Sequence, residues 1–388
     1  MESLRMGVIG VGNIGTAHAR SITTGEVPGM ELAALCDASP TRRQALQDAF
    51  PGIPVFSEHR ELLDSGLTDG VIIATPHYFH PPIAVDAFMS GQHVLSEKPA
   101  GVYTRQVRQM IEAARKSGRI FGIMFNQRAD SLYRRARELV AGGELGEPKR
   151  LVWIITNWYR TQAYYKSGGW RATWSGEGGG VLLNQCPHNL DLWQWICGMP
   201  VKVQAHMQFG KWHDIEVEDD VTAYLEFANG ATGTFIASTG DALGENRLEI
   251  IGTRARIRIE NDQLTLDTLS VDERDWCPVC KEPFGVPDIQ HEIVQTDGEN
   301  PQHAGVLNAF AAHILHGTPL VADGREGIRG LMLSNAMHLS SWTNQTVSLP
   351  IDEELFLKLL NEKRRTSRHK DEVDAAIDVS GSFGSTRK

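Results

Sequence analysis

The sequence predicts an α/β protein: an N-terminal Rossmann-type doubly wound parallel sheet, followed by an α+β domain on an open, largely antiparallel sheet. Three observations carry this prediction. Short apolar runs alternate with helical stretches over the first ~125 residues. A glycine-rich segment, Gly10-Val-Gly12-Asn-Ile-Gly15, lies between the first run and the first helix. Beyond residue ~150, strand-like runs follow one another directly, with hairpin turns between them.

The elements read in order as follows. Met6–Gly10 is a short apolar run that fits a strand buried on both faces. A helix is expected over Asn13–Thr23, a second buried strand over Glu31–Asp37, and a helix over Thr41–Phe50. Short strands follow at Pro54–Phe56, Gly70–Pro76 and Gln92–Pro99, the last two stopped by proline. Arg105–Ser117 has the spacing of an amphipathic helix, and Ile120–Phe125 that of a sixth strand. Ligands of such a sheet sit at the carboxyl ends of its strands.

After a helix over Tyr133–Val140 the pattern changes. Strands are predicted at Lys149–Trp158, Val201–Phe209, Asp220–Phe227, Thr232–Ser238, Asn246–Gly252 and Arg254–Glu260, interrupted by a helix over Val181–Ile196. A late helix, Gly327–Trp342, is placed to pack back on the first domain and precedes a strand at Val347–Pro350. The expected organisation is a nucleotide-binding domain over 1–128, a substrate-binding and oligomerisation domain over 129–362, and a flexible tail over 363–388. The open sheet face needs cover, so a homodimer or homotetramer is expected.

Composition narrows the function. A formal net charge of −10 with scattered basic residues argues against a nucleic-acid partner. No apolar stretch approaches the ~20 residues that span a bilayer, and no signal-peptide pattern opens the chain, so a cytoplasmic location is expected. Five cysteines do not suggest a disulfide framework. Cys277-Pro-Val-Cys280 lacks the second ligand pair of a closed zinc site, and His291 nearby is alone, so no metal is expected.

The glycine spacing has a physical purpose. The first glycine permits a tight turn, the second lets backbone amides approach a pyrophosphate, and the third lets helix and strand pack closely. The helix N-terminus adds partial positive charge. Asp37, about two dozen positions further on at the end of the second strand, can accept hydrogen bonds from a ribose. It would repel a 2′-phosphate, so NAD is favoured over NADP, with Arg42 and Arg43 able to soften the preference.

Glu97-Lys98-Pro99 ends the fifth strand on the edge where a nicotinamide would lie. A lysine there can hold a substrate hydroxyl and move its proton as hydride leaves. Together with GVGNIG, Ala74-Thr75-Pro76, His77, His80, Gly178-Gly179-Gly180, Asn184, His188, Asp191 and Glu326-Gly327, this motif set resembles the Gfo/Idh/MocA oxidoreductases over residues 5 to 352. The resemblance implies a catalytic Lys98 and an acid–base His188. The family's usual acid four residues before that histidine is Asn184 here, which can orient a hydroxyl but cannot accept a proton. On spacing, Asn184 and His188 lie i, i+4 on one helix face, and Asp191 is a candidate partner for His188. Cofactor contacts are expected from Gly10, Gly12, Asn13, Ile14, Gly15, Asp37, Thr75, Pro76, His80, Glu97, Lys98 and Asn126, with Gln127 beside it.

The segment from Asn157 to Trp174 is rich in aromatic residues and arginine. Aromatic planes cover the C–H faces of a sugar while Arg, Asn and Lys address its hydroxyls. Arg160, Tyr165, Arg171 and Trp174 are therefore expected to bind substrate with Lys98, Asn184 and His188. His303 is a further candidate, whereas His313, His316 and His338 read as structural. The expected activity is NAD-dependent oxidation of a secondary hydroxyl of a sugar, glycoside or cyclitol to a ketone. The alternatives are a redox-neutral, NAD-dependent glycoside-cleaving enzyme and a non-catalytic sugar or cofactor sensor.

Overall fold

The computed structural model describes residues 3–368 and residue 370. Its first six strands are β1 (Leu4–Ile9), β2 (Met30–Cys36), β3 (Val55–Phe56), β4 (Gly70–Ile73), β5 (His93–Ser96) and β6 (Phe121–Ile123). They form one parallel sheet in the order β3-β2-β1-β4-β5-β6. The order reverses between β1 and β4, and that reversal opens a crevice at their carboxyl ends. All four residues of β4 are buried, as expected of a strand covered by helices on both faces.

The second sheet is built from β7 (Pro148–Ile155), β8 (Lys202–Phe209), β9 (Glu218–Glu226), β10 (Thr232–Ser238), β11 (Asn246–Gly252), β12 (Ala255–Glu260), β13 (Gln263–Leu269), β14 (Ile289–Ile293) and β15 (Val347–Ser348). Their order is β14-β13-β12-β11-β7-β10-β9-β8-β15, antiparallel except where β7 meets β10. Alternation decides its faces. Leu151, Trp153, Phe235, Ala223 and Val203 point inward toward the helices Pro187–Cys197 and Gly327–Thr343. On the other face, half-exposed Val152, Ile154, Ile236 and Ile251 border a charged ladder. There Arg258 pairs with Glu249, and Asp267 with Arg256 and His291.

Two sequence expectations need correction. The helix predicted from Val181 begins at Pro187, because proline suits the first helical position. The preceding amides of Gly180 and Leu182 bond instead to the buried Glu218 carboxylate. Gly180 permits this approach, since a Cβ there would lie 2.0 Å from the Glu218 carbonyl oxygen. Asn184 therefore stands in a turn before the helix and does not share a helix face with His188. The tail predicted from 363 also starts too early. A helix capped by Asp352 runs from Glu353 to Arg365, with acids in its first turn and bases in its last. Residue 369 and residues 371–388 of that segment lie outside the described residues.

The two domains are joined by buried polar contacts. Asn335 accepts the Thr104 N–H and donates to the Val102 carbonyl. Arg128, 3% exposed, follows β6. It makes two 2.7 Å bonds to Asp191 and a third, very short one to Glu326. Asp191 thus serves Arg128 and not His188. Replacing Arg128 by Met would leave Asp191 buried without its counter-ion, at a cost of about 3–5 kcal/mol. Urea unfolding should show that loss, and an added Asp191→Leu change should return most of it.

Candidate active site

The crevice begins with the glycine loop. Gly10 has φ +84°, the left-handed region that glycine tolerates. Gly15 packs so closely on the loop that a Cβ would lie 2.2 Å from the Gly10 oxygen. The helix Asn13–Thr23 starts at Gly12 with no side-chain cap and no acid in its first turn. Its leading amides, with those of Asn13 and Ile14, therefore form an anion-binding end. Asp37 accepts Val11 N–H and Ser39 N–H, both at 2.9 Å, which holds its carboxylate beside the loop. A Cβ on Gly12 would lie 3.0 Å from the Arg42 guanidinium. Thr75 Oγ1, after β4, and Asn126 Oδ1, after β6, are buried polar atoms without a hydrogen-bond partner. The loop, Asp37 and these two atoms together fit a dinucleotide laid across the strand ends.

His80 does a different job from the one expected. Its two ring nitrogens meet the carbonyls of Pro99, at 2.8 Å, and Thr75, at 2.6 Å. It ties the β4 turn, which includes Pro76, to the β5 turn. Burial lowers its pKa despite those two bonds.

The Glu97-Lys98-Pro99 turn is held by buried hydrogen bonds of the Glu97 carboxylate. Glu97 Oε1 meets His18 Nε2 at 2.7 Å, and Glu97 Oε2 accepts the Lys98 N–H at 3.1 Å. Burial alone would raise the Glu97 pKa. The His18 hydrogen bond and the nearby His18, His303 and Lys98 hold it at about 2. Lys98 is partly exposed, and its Nζ donates to the Asn184 carbonyl at 3.0 Å. Burial, Arg171 and Arg160 lower its pKa, while Glu97 and Glu177 oppose them. His188 is partly exposed, and its ring sits edge-on to Phe125. Its Nδ1 has no partner, and burial with nearby Lys98 and His303 keeps its pKa well below the usual value.

The structure divides the predicted substrate wall. Arg160 and Arg171 both lie over one ring, 5.0 Å and 4.7 Å from the Tyr164 centroid. Arg171 donates to the Tyr164 hydroxyl, and that hydroxyl lies 3.3 Å from Asn184 Oδ1. Tyr165 and Trp174 are not wall residues. Tyr165 turns inward from the short helix Gln162–Lys166 and donates to Thr239 Oγ1. Trp174 packs on Trp342 and Phe209 beneath Lys363. Successive residues on a helix are ~100° apart, so only one of two adjacent tyrosines can face the cleft. That one is Tyr164.

Sequence reasoning also missed Glu177 and His18. Glu177 contacts Asn184 from a buried position, and its one sequence signal is an acid set between Gly176 and Gly178. His303 reaches the site, with its ring 5.7 Å from that of His18. His338 is structural, bonded to Ser334 and paired with Glu218. Among the described residues no helix is long and apolar enough to cross a membrane.

Comparison with known proteins agrees with this geometry. Residues 4–125 match the family model described as an oxidoreductase family with an NAD-binding Rossmann fold. Residues 133–258 match the GFO/IDH/MocA C-terminal domain. The myo-inositol 2-dehydrogenase of Thermotoga maritima is 25% identical over 89% of this chain and 98% of its own length. The D-glucoside 3-dehydrogenase of Escherichia coli is 27% identical, over 89% and 97%. The WlbA dehydrogenase of Bordetella pertussis, solved with NADH and UDP-GlcNAcA, is 25% identical with a TM-score of 0.75, covering 90% of this chain and all of that one.

Two outcomes are expected from these contacts. An Asp37→Ala variant should shift the NADP-to-NAD ratio of kcat/KM toward NADP by at least about tenfold, because Arg42 remains beside the loop. In the other, Glu97 has a folded pKa of about 2 against an ordinary 4.5, so its contribution to stability is present above 4.5. That contribution is lost as the pH falls toward 2. His18→Phe should lower stability at neutral pH and flatten this acid-side dependence in urea titrations.

Proposed function

The chain belongs to the Gfo/Idh/MocA family of NAD-dependent oxidoreductases, and on that premise we propose that it oxidises a ring secondary hydroxyl of a sugar, glycoside or cyclitol to a ketone. The observation that carries this reading is the Lys98 ammonium, held at the strand edge by a carbonyl of the second domain with His188 beside it. Bound NAD supplies the two-electron oxidant. Gly10, Gly12, Asn13, Ile14 and Gly15 would hold its phosphates, Asp37 its adenosine ribose, and Thr75 and Asn126 the nicotinamide end.

Lys98 holds the substrate hydroxyl and takes its proton as the carbon loses hydride. Burial, with Arg171 and Arg160, lowers the Lys98 pKa, which favours its use as a base in the neutral form. His188, kept neutral by burial and by neighbouring cations, can accept a hydrogen bond from a second hydroxyl or pass on the proton. Asn184 orients without titrating. Tyr164 offers an aromatic face, and Arg160 and Arg171 offer donors to hydroxyls. Sugar-type substrates named for the relatives, inositols and glucosides, are consistent with this lining. We further propose that copies pair through the outer face of the nine-stranded sheet, where half-exposed aliphatic residues lie between polar borders.

The test is the rise of reduced-nicotinamide absorbance with NAD and a panel of polyols, aldoses and glycosides. A signal with one class is expected, falling by about 10²- to 10⁴-fold in Lys98→Met. Glycoside cleavage without net reduction would replace this reading by the redox-neutral enzyme. Binding without any reaction would replace it by a sensor.

A further inference from the structure

One buried carboxylate in the pocket has no part in the chemistry above. Glu177 is 2% exposed. Its Oε2 accepts the Ala172 N–H at 2.5 Å, and its Oε1 accepts a short bond from Asn184 Nδ2. Asn184 Oδ1 faces the Tyr164 hydroxyl, and the Asn184 carbonyl holds Lys98 Nζ. Glu177, Asn184 and Lys98 therefore form one continuous contact chain across the domain boundary.

We propose that Glu177 is a positioning residue that fixes the hydrogen-bonding sense of Asn184 and supplies the buried negative charge balancing Lys98. The proposal rests on the dehydrogenase reading. An ionised carboxylate only accepts hydrogen bonds, whereas an amide presents N–H on one side and oxygen on the other. Ionised Glu177 therefore holds the Asn184 NH₂ toward itself and turns Oδ1 toward Tyr164 and the pocket. A protonated Glu177 can donate, and the amide loses that preference.

Charge works in the same direction. During oxidation the substrate O–H proton passes to the neutral Lys98 amine as hydride leaves the same carbon. The ammonium so formed is stabilised by a carboxylate nearby, and Glu177 raises the Lys98 pKa against burial, Arg171 and Arg160. The charged and titratable groups facing Glu177 are Arg171, Lys98, Lys370, Glu218 and Tyr165, with His77 Nδ1 on its backbone carbonyl. Burial outweighs the attraction of nearby Arg171 and the hydrogen bonds from Ala172 and Asn184, and places the carboxyl at about 7. Its charge is present above that pH and lost below it, so activity should fall on the acid side as Glu177 protonates.

The experiment compares wild type with Glu177→Gln, Glu177→Asp and the transposed pair Glu177→Gln/Asn184→Asp, each checked for folding by thermal unfolding and for NAD binding by fluorescence. Glu177→Gln should lower kcat by about 10- to 100-fold with little change in KM, as expected for a displaced catalytic group. It should also abolish the acid limb near 7. Glu177→Asp should keep part of that limb. The transposed pair returns a carboxylate to the same contact and should recover most of kcat.

Infrared difference spectra, wild type minus Glu177→Gln, give a readout that needs no turnover. A protonated-carboxyl band should titrate near neutral pH, with its midpoint higher in Lys98→Met. An unchanged pH profile in Glu177→Gln, no recovery in the transposed pair, or a band whose midpoint ignores Lys98→Met would each overturn the proposal. A band that titrates and responds to Lys98 in a protein without dehydrogenase activity would sustain the Glu177–Lys98 coupling and sink the functional reading alone.

Discussion

The candidate site exists only because two domains meet at a fixed distance, and the buried guanidinium of Arg128 is a charged contact that helps to set it. Arg128 leaves the turn after β6, in the first domain's sheet, and reaches the helix Pro187–Cys197 through Asp191 and the start of the late helix through Glu326. His188 is on the first turn of that same helix, and Asn184 is on the turn before it. Moving the helix by a fraction of an ångström would change the 3.0 Å bond between Lys98 Nζ and the Asn184 carbonyl. A hydrophobic contact could join the domains as tightly. It would not set register as sharply as a planar fork with two acids, whose bonds weaken steeply off geometry.

Two carboxylates in this site, Glu97 and Glu177, are equally hidden from water and are pushed to opposite ends of the titration range. Glu97 stands against His18, His303 and Lys98 and is held at about 2. Glu177 has cations nearby, but burial and Glu218 prevail, and it lies at about 7. Environments that separate like groups in this way separate their roles. Glu97 keeps its charge at all working pH values and can anchor the turn that presents Lys98. Glu177 can exchange its proton.

Much of the secondary structure in both sheets was legible because its rules are local. The helix Asn13–Thr23 and the strands Thr232–Ser238 and Asn246–Gly252 have the boundaries that their periodicity and glycine punctuation predict. The glycine loop, Asp37 and Lys98 could be found for the same reason, since each sits at a strand end that the sequence marks. What stayed hidden depends on which neighbour a side chain meets. Tyr164 and Tyr165 are indistinguishable in composition, and only the pose of a five-residue helix sends one to the cleft and the other to Thr239. His80 and Asp191 are polar residues near the site whose partners, the Thr75 and Pro99 carbonyls and Arg128, are set by the packing of turns and helices and carry no signal in the sequence. Glu177 lies between Gly176 and Gly178, where no periodicity marks a buried position. The glycines around it are what let the chain fold tightly enough to bury it.

The wall around Tyr164 shows how a pocket can be cationic and still suit a neutral, hydroxyl-rich ligand. Arg160 and Arg171 direct their π-facing sides to the same ring, an arrangement that uses the ring quadrupole to hold two like charges close together. Arg160 Nη1 donates to the Tyr159 carbonyl and Arg171 Nη1 to the Tyr164 hydroxyl, both neutral acceptors. Each planar guanidinium carries five N–H donors, so engaging one leaves an edge of donors in a defined plane. Lysines in these places would present mobile point charges, better matched to a phosphate than to a ring of hydroxyls. Rigid donor edges beside an aromatic face instead match the alternation of C–H faces and equatorial oxygens on a pyranose or cyclitol. The same guanidinium groups also lower the Lys98 pKa from a distance, so the lining of the wall and the electrostatics of the Lys98 turn are set by the same two residues.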